Sequence, residues 1–253
     1  MQYFVPDIRL TAELPPQFNL EEKLGGIPWG LPPDRWPACA DCGKPQTLLA
    51  QFVHHPMRLD LNREGRCLFV FHCTQNPGMC DSWRGGGGAN ACFVIEPEDL
   101  LSALTPPPAK AATPEREARI VQWQEREDGV TAEQGAFFFD DERWLDLDEA
   151  VREELFPKAE LSTRLGGVPH WIQSSSEAPG EGWRFVGQLD SIYHFLVAPA
   201  PGAEGVHVSG VHKNHPMPNY SCEGPKFGDA GIGYIFVKTD ANPPQGWFFW
   251  QCG

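Results

Sequence analysis

Two cysteine pairs carry the clearest chemistry in this chain. Cys39-Ala-Asp-Cys42-Gly43 is a C-x2-C pair on a turn, and Cys73 through Cys80 is a C-x6-C pair around the turn residues Asn76-Pro77-Gly78. A C-x2-C turn presents two thiolates to one tetrahedral ion, and the glycine after it lets the backbone curl so that amides support the sulfurs. Four soft ligands in two bracketing pairs suit Zn(II), with Cys39, Cys42, Cys73 and Cys80 as the metal ligands. A closed four-cysteine site leaves no position for water or substrate, so the zinc is structural. A redox C-x-x-C pair and unliganded core cysteines are the alternatives.

Other reactive side chains fall into less productive patterns. Cys67 and Cys92 lie in apolar runs and read as small core residues, while Cys222 and Cys252 lack an accompanying C-x-x-C. His207, His212 and His215 are spaced for neither one helix face nor one strand face and read as loop residues. His54, His55 and His72 read as surface and strand residues, with His72 the one rival to Cys73 as a ligand. Gly85 to Gly88 lacks the GK[ST] ending of a phosphate loop and reads as a flexible turn. There is no G-x-S-x-G nucleophile elbow, and no catalytic constellation is visible.

The elements that must hold these cysteines read as strands joined by turns. Gly 26 and Pro 25 in 253 residues, with Trp 9, argue against a helical bundle and for a β-rich α+β fold. Thr47 to Val53, Cys67 to Cys73 and Ala91 to Ile95 are strand-like. Residues 97–160 read as helical: one helix from Pro97, a second opened by Thr113 and Pro114, and a third around Asp146 to Phe156 with Leu147, Val151 and Leu155 on one stripe. This segment holds 17 acidic and 7 basic residues, so −10 of the net charge of −14 lies there. Three regions follow: a first lobe over 1–96, an acidic helical insertion over 97–160, and a second lobe over 161–253.

The two lobes echo each other. Lys23-Leu24-Gly25-Gly26-Ile27-Pro28 returns 141 positions later as Arg164-Leu165-Gly166-Gly167-Val168-Pro169. LLAQF and CLFVF follow the first copy, FVGQL and YIFVK the second. Internal duplication with pseudo-twofold lobes is the simplest account. Each LGG reads as a turn with glycine at positive φ.

The charge sets the class of partner. Nucleic acid and anionic membrane are disfavoured, since the electrostatic term has the wrong sign. Basic proteins are the natural partners. No apolar run reaches membrane-helix length and the first residues lack a signal-peptide pattern, so a cytoplasmic protein is expected.

Several motifs resemble those of known families. Phe227 to Val237 (FGDAGIGYIFV), Trp247 to Cys252 (WFFWQC), Leu165 to Gln173 (LGGVPHWIQ), Gly187 to Ser191 (GQLDS) and Asn76 to Trp83 (NPGMCDSW) resemble the YwqG family of bacterial proteins. The resemblance implies a duplicated β-rich α+β fold and a zinc site on CxxC and CxxxxxxC. Where some members carry a second CxxC, this chain has SSSEAPGEGW, so the resemblance does not extend to the ligands of a second zinc. Leu24 to Trp29, Cys39 to Gly43, Leu48 to Gln51 and Arg66 to Cys80 are similar to the N-terminal part of the programmed-cell-death-protein-two family, which implies chaperoning of a basic ribosomal protein. YwqG-like proteins also accompany polymorphic toxins, which implies an immunity role.

The expectation is therefore a non-enzymatic, zinc-stabilised protein-binding module that sequesters a basic partner, foremost a bacterial toxin as its immunity protein. A ribosomal-protein chaperone, and an enzyme or small-ligand receptor with a pocket between the lobes, are the alternatives. The expected contact residues are Trp123, Glu125, Glu127, Asp128, Asp140, Asp141, Glu142 and Trp144, with the two tryptophans as anchors.

Overall fold

Short runs rich in Val, Ile, Leu and Phe, broken by Gly and Pro, fold here into thirteen strands among the described residues. The computed structural model describes residues 1–159, 161–201, 203, 205–209 and 219–253. The strands are β1 (Gln2–Leu10), β2 (Lys23–Leu24), β3 (Thr47–Val53), β4 (Cys67–His72), β5 (Asn90–Ile95), β6 (Ala118–Glu127), β7 (Arg164–Gly166), β8 (Arg184–Asp190), β9 (Ile192–Phe195), β10 (His207–Ser209), β11 (Asn219–Glu223), β12 (Ile232–Lys238) and β13 (Gln245–Gln251). Ten of them close an antiparallel barrel in the order β1-β6-β2-β3-β4-β5-β13-β12-β8-β7. β10, β11 and β9 form a separate three-stranded sheet.

The barrel wall is apolar on both sides because its strands alternate between two cores. Leu68 and Val70 of β4 and Ile235 and Val237 of β12 belong to one central cluster, to which all ten staves contribute. The intervening Cys67, Phe69 and Phe71 form an outer cluster with Leu31 and Leu48, over which Trp36 and Phe93 pack. Tyr234, Phe236 and Phe249 form another outer cluster under Trp171 and Trp183. Period-two alternation sends successive side chains to opposite faces, so a strand covered on both sides reads as a continuous apolar run. The barrel interior is thus a packed core. Tyr193, Phe195, Cys222 and Phe227 join it from outside the ten staves.

Two buried glutamines fix the short strands. Gln51 Oε1 accepts from Trp29 N at 2.8 Å and its Nε2 donates to Glu21 O at 2.9 Å. Gln188 Oε1 accepts from His170 N at 2.9 Å and its Nε2 donates to Ser162 O at 2.9 Å. Both glutamines are fully buried and sit opposite the residue before an LGG turn, Lys23 for Gln51 and Arg164 for Gln188. The turn glycines adopt positive φ, 62° and 72° at Gly25 and Gly26, 81° and 67° at Gly166 and Gly167. A Cβ on Gly166 would lie 2.8 Å from Gln2 O, so the turn also needs the missing side chain for its approach to β1.

Residues 97–160 depart from the helical expectation. The helix expected behind Thr113 and Pro114 is instead β6, a ten-residue strand paired with β1 from Gln2↔Glu127 to Leu10↔Ala118. Ile120 and Val121 favour the pleat, and pairing with β1 outweighs the helix preference of the Glu, Gln and Arg around them. The helix expected from Pro97 is a single 3-10 turn, Pro97–Asp99. Beyond it the chain stays extended, because Leu101 N and Thr105 N donate to Gly30 O and Pro28 O. Three short helices follow: α1 (Ala132–Gly135), α2 (Asp141–Leu145) and α3 (Glu149–Leu155). α3 matches the third expected helix. Leu155 is buried and Leu147 packs beside it, whereas Val151 is exposed.

One partly buried ion pair locks the start of β4. Arg66 Nη2 donates to Glu96 Oε1 at 2.7 Å, its Nη1 to Leu61 O at 2.8 Å, and Arg63 reaches the other Glu96 oxygen at 2.9 Å. The hydrogen bonds from Arg66, the largest influence, hold the Glu96 carboxyl below its ordinary range. Stability from this group is full above the unfolded carboxyl value of about 4.3 and is lost as pH falls through the lower folded value. Glu96→Gln should therefore be less stable than the parent at neutral pH, with the gap closing in acid. A gap constant from pH 7 down to pH 3 in urea titrations would contradict this.

Candidate metal centre

The two cysteine pairs meet because β3, β4 and β5 are adjacent staves. Cys73 follows the last residue of β4, and its N–H donates to Ala89 O, beside the first residue of β5, at 2.8 Å. Cys39 and Cys42 sit on the turn that leads into β3, closed by Gly43 N to Cys39 O at 2.8 Å and Cys39 N to Lys44 O at 2.9 Å. Gly43 takes φ 67° there, as the sequence required. The second loop folds back through Cys80 N to Asn76 O, with Gly78 at φ 75°.

All four sulfurs lie within 4.8 Å of one another, and Cys42 Sγ is 3.7 Å from Cys73 Sγ. Zn–S bonds of about 2.3 Å at tetrahedral angles separate sulfurs by about 3.8 Å, so the donor spacing fits one metal ion. None of the four is in a disulfide. Cys39, Cys73 and Cys80 are buried and Cys42 is partly exposed, with Ala89 completing the cluster. The alternative ligand is displaced by strand alternation: His72 points away from the sulfurs and meets Phe227 edge-on at 5.7 Å. Both of its ring nitrogens are buried without a hydrogen-bond partner, and burial pushes its pKa down to about 4.

The thiols differ in their readiness to ionise. A bond from the backbone of Lys44 is the main reason the Cys42 value falls below that of an ordinary thiol. Burial pushes Cys73 up to about 11 and Cys80 higher still. Buried thiolates need a compensating charge, which a bound divalent cation supplies.

Three supporting groups carried no chemical signature in the sequence. Gly88 O accepts from Ala40 N at 2.9 Å and from Gln46 Nε2 at 2.9 Å. Gly88 has φ 82°, and a Cβ there would lie 2.7 Å from the Ala40 Cβ. The end of the Gly85 to Gly88 run is therefore a strap against the first cysteine loop. Asp41 Oδ2 accepts from Asp81 N at 2.7 Å and joins the two loops.

The residues expected to contact a partner are scattered between core and surface. Trp123 is partly buried against the central cluster, donates Nε1 to Glu22 at 2.7 Å and lies under the Arg58 guanidinium. Trp144 packs on Phe138 at 5.0 Å in a small cluster of the helical segment. Glu125, Glu127 and Glu142 are exposed. Asp128 binds the Met1 amino group and caps Val130 N, Asp140 caps α2 through Arg143 N, and Asp141 accepts from Ser175 N and Oγ. Of the histidine trio, His207 opens β10, a strand where a loop was expected, and His212 and His215 lie outside the described residues.

Among the described residues, no helix is long and apolar enough to cross a membrane. The chain matches no family model, and comparison with curated proteins and with solved structures gives no match.

Proposed function

We propose that this chain is a non-enzymatic, YwqG-like binding module, stabilised by structural Zn(II) on Cys39, Cys42, Cys73 and Cys80, that sequesters a basic protein, with a bacterial toxin as the leading partner. The observation that carries this reading is the surface of the acidic segment. Between residues 125 and 154 nine carboxylates are exposed against one exposed cation, Arg143. Such a surface steers a cationic partner and sets specificity more than raw affinity. Internal duplication is part of the same proposal. The 141-residue echo of the LGG turns, and the glutamines that bond one set of backbone groups and then the set 141 positions on, support it.

The test is recovery of bound protein from the native cell. The tagged chain should retain a basic protein at low salt and lose it steeply as salt rises over several Debye-length steps. Retention of an acidic protein, or of a basic one with no salt dependence, would contradict the reading.

A further inference from the structure

The helical segment and residues 169–174 enclose a recess that the charge argument does not mention. Phe137, Phe138, Trp144, Phe156 and Trp171 wall a cavity of about 100 Å³. At about 30 Å³ per water it holds roughly three waters, the size of a terminal ammonium with its last methylenes or of a guanidinium. The polar lining consists of Asp141, Gln173 and Ser174, with no Lys, Arg or His.

The hydrogen-bond state of the lining selects the guest. Two of its nitrogen donors are engaged: Trp171 Nε1 donates to Phe138 O, and Gln173 Nε2 donates to Cys252 O at 2.8 Å. Ser174 Oγ is bonded to Ser176 Oγ at 2.7 Å. Asp141 Oδ1 accepts from Ser175, which fixes the carboxylate and leaves Oδ2 as an acceptor. An anion meets the Asp141 carboxylate and no cationic side chain of the lining, whereas a cation finds π faces and that carboxylate, the combination that aromatic cages use for ammonium groups. Trp144 and Phe156 also border a wider groove with Glu149, Glu153 and one cation, Arg152, where the chain bearing such a side chain can lie.

We propose that this recess takes a lysine or arginine side chain of the basic partner, with Asp141 as its counter-ion and Trp144, Phe156 and Trp171 as its walls. The inference rests on the basic-partner reading but is tested without the partner. Blocked Gly-Lys-Gly and Gly-Arg-Gly peptides, with Gly-norleucine-Gly as the neutral control, are titrated against the full chain while the indole N–H signals of Trp144 and Trp171 are followed by NMR. A cationic peptide should move both signals saturably and the neutral one should not. Asp141→Asn and Phe156→Ala should each weaken binding about tenfold, as loss of a charge contact or a π face predicts. Glu64→Gln, at an exposed carboxylate beside His54, should leave it unchanged. Equal binding of the neutral peptide, or shifts spread over the acidic surface that spare the two indoles, would overturn the assignment. A recovered basic partner that binds the Asp141→Asn, Phe156→Ala chain with parental affinity would overturn the recess while leaving capture by the acidic surface intact.

Discussion

Cys39→Ser should release the bound metal and lower stability by about 4 kcal/mol or more, a loss of the size reserved for metals, disulfides and large core defects. The serine removes one of four sulfurs that lie within 4.8 Å of one another and leaves the other three without a complete tetrahedral set. Because binding energy at such a site is folding energy, the whole contribution is on the order of 10 kcal/mol at neutral pH. The effect should concentrate on the loops before β3 and after β4, which the cluster ties together. Cys92→Ala provides the comparison: Cys92 lies in β5 outside the cluster, and its loss should cost only about 1 kcal/mol. Chelation should reproduce the Cys39→Ser effect in the parent chain and add nothing to the variant. Acid should act in the same direction, since protons compete with the metal for the thiolates. Similar stability of Cys39→Ser and Cys92→Ala would contradict the site.

Gln51→Leu and Gln188→Leu should each lower stability by about 2–4 kcal/mol, because each strands a backbone N–H and a carbonyl, one of them at a buried bond and the other at a part-buried one. The leucine keeps most of the volume, so the loss reports the bonds more than a cavity. Similar costs at the two positions are expected from their shared pattern of partners, Trp29 N and Glu21 O for one, His170 N and Ser162 O for the other. Urea midpoints at constant m-value measure both. A cost below about 0.5 kcal/mol at either position, the size of an ordinary surface change, would show that the glutamine does not hold its strand.

The cysteine site was legible because its signal is local. Spacing and a glycine after the second sulfur define the turn, and β3, β4 and β5 are consecutive in the chain, where sequential strands commonly neighbour. The strands carrying Phe69 and Tyr234 were legible as apolar runs, but their closure into one barrel was not, since β5 meets β13 and β1 meets both β6 and β7 only in three dimensions. β6 is a strand where a helix was expected, for a physical reason. Its sequence ARIVQWQERE mixes helix-favouring polar residues with β-branched ones, and the ten-residue ladder with β1 decides the outcome. Residues 97–160 accordingly contribute a barrel stave as well as helices. Gln46 and Gly88 carried no chemical signal, because their role lies in backbone bonds across a loop.

The most direct test of the zinc-stabilised account is the metal content of the full chain purified without added metal or chelator. The account predicts close to one zinc per chain, falling to near zero in Cys39→Ser and unchanged in Cys92→Ala. Metal-free protein that is as stable as protein reconstituted with zinc would contradict it.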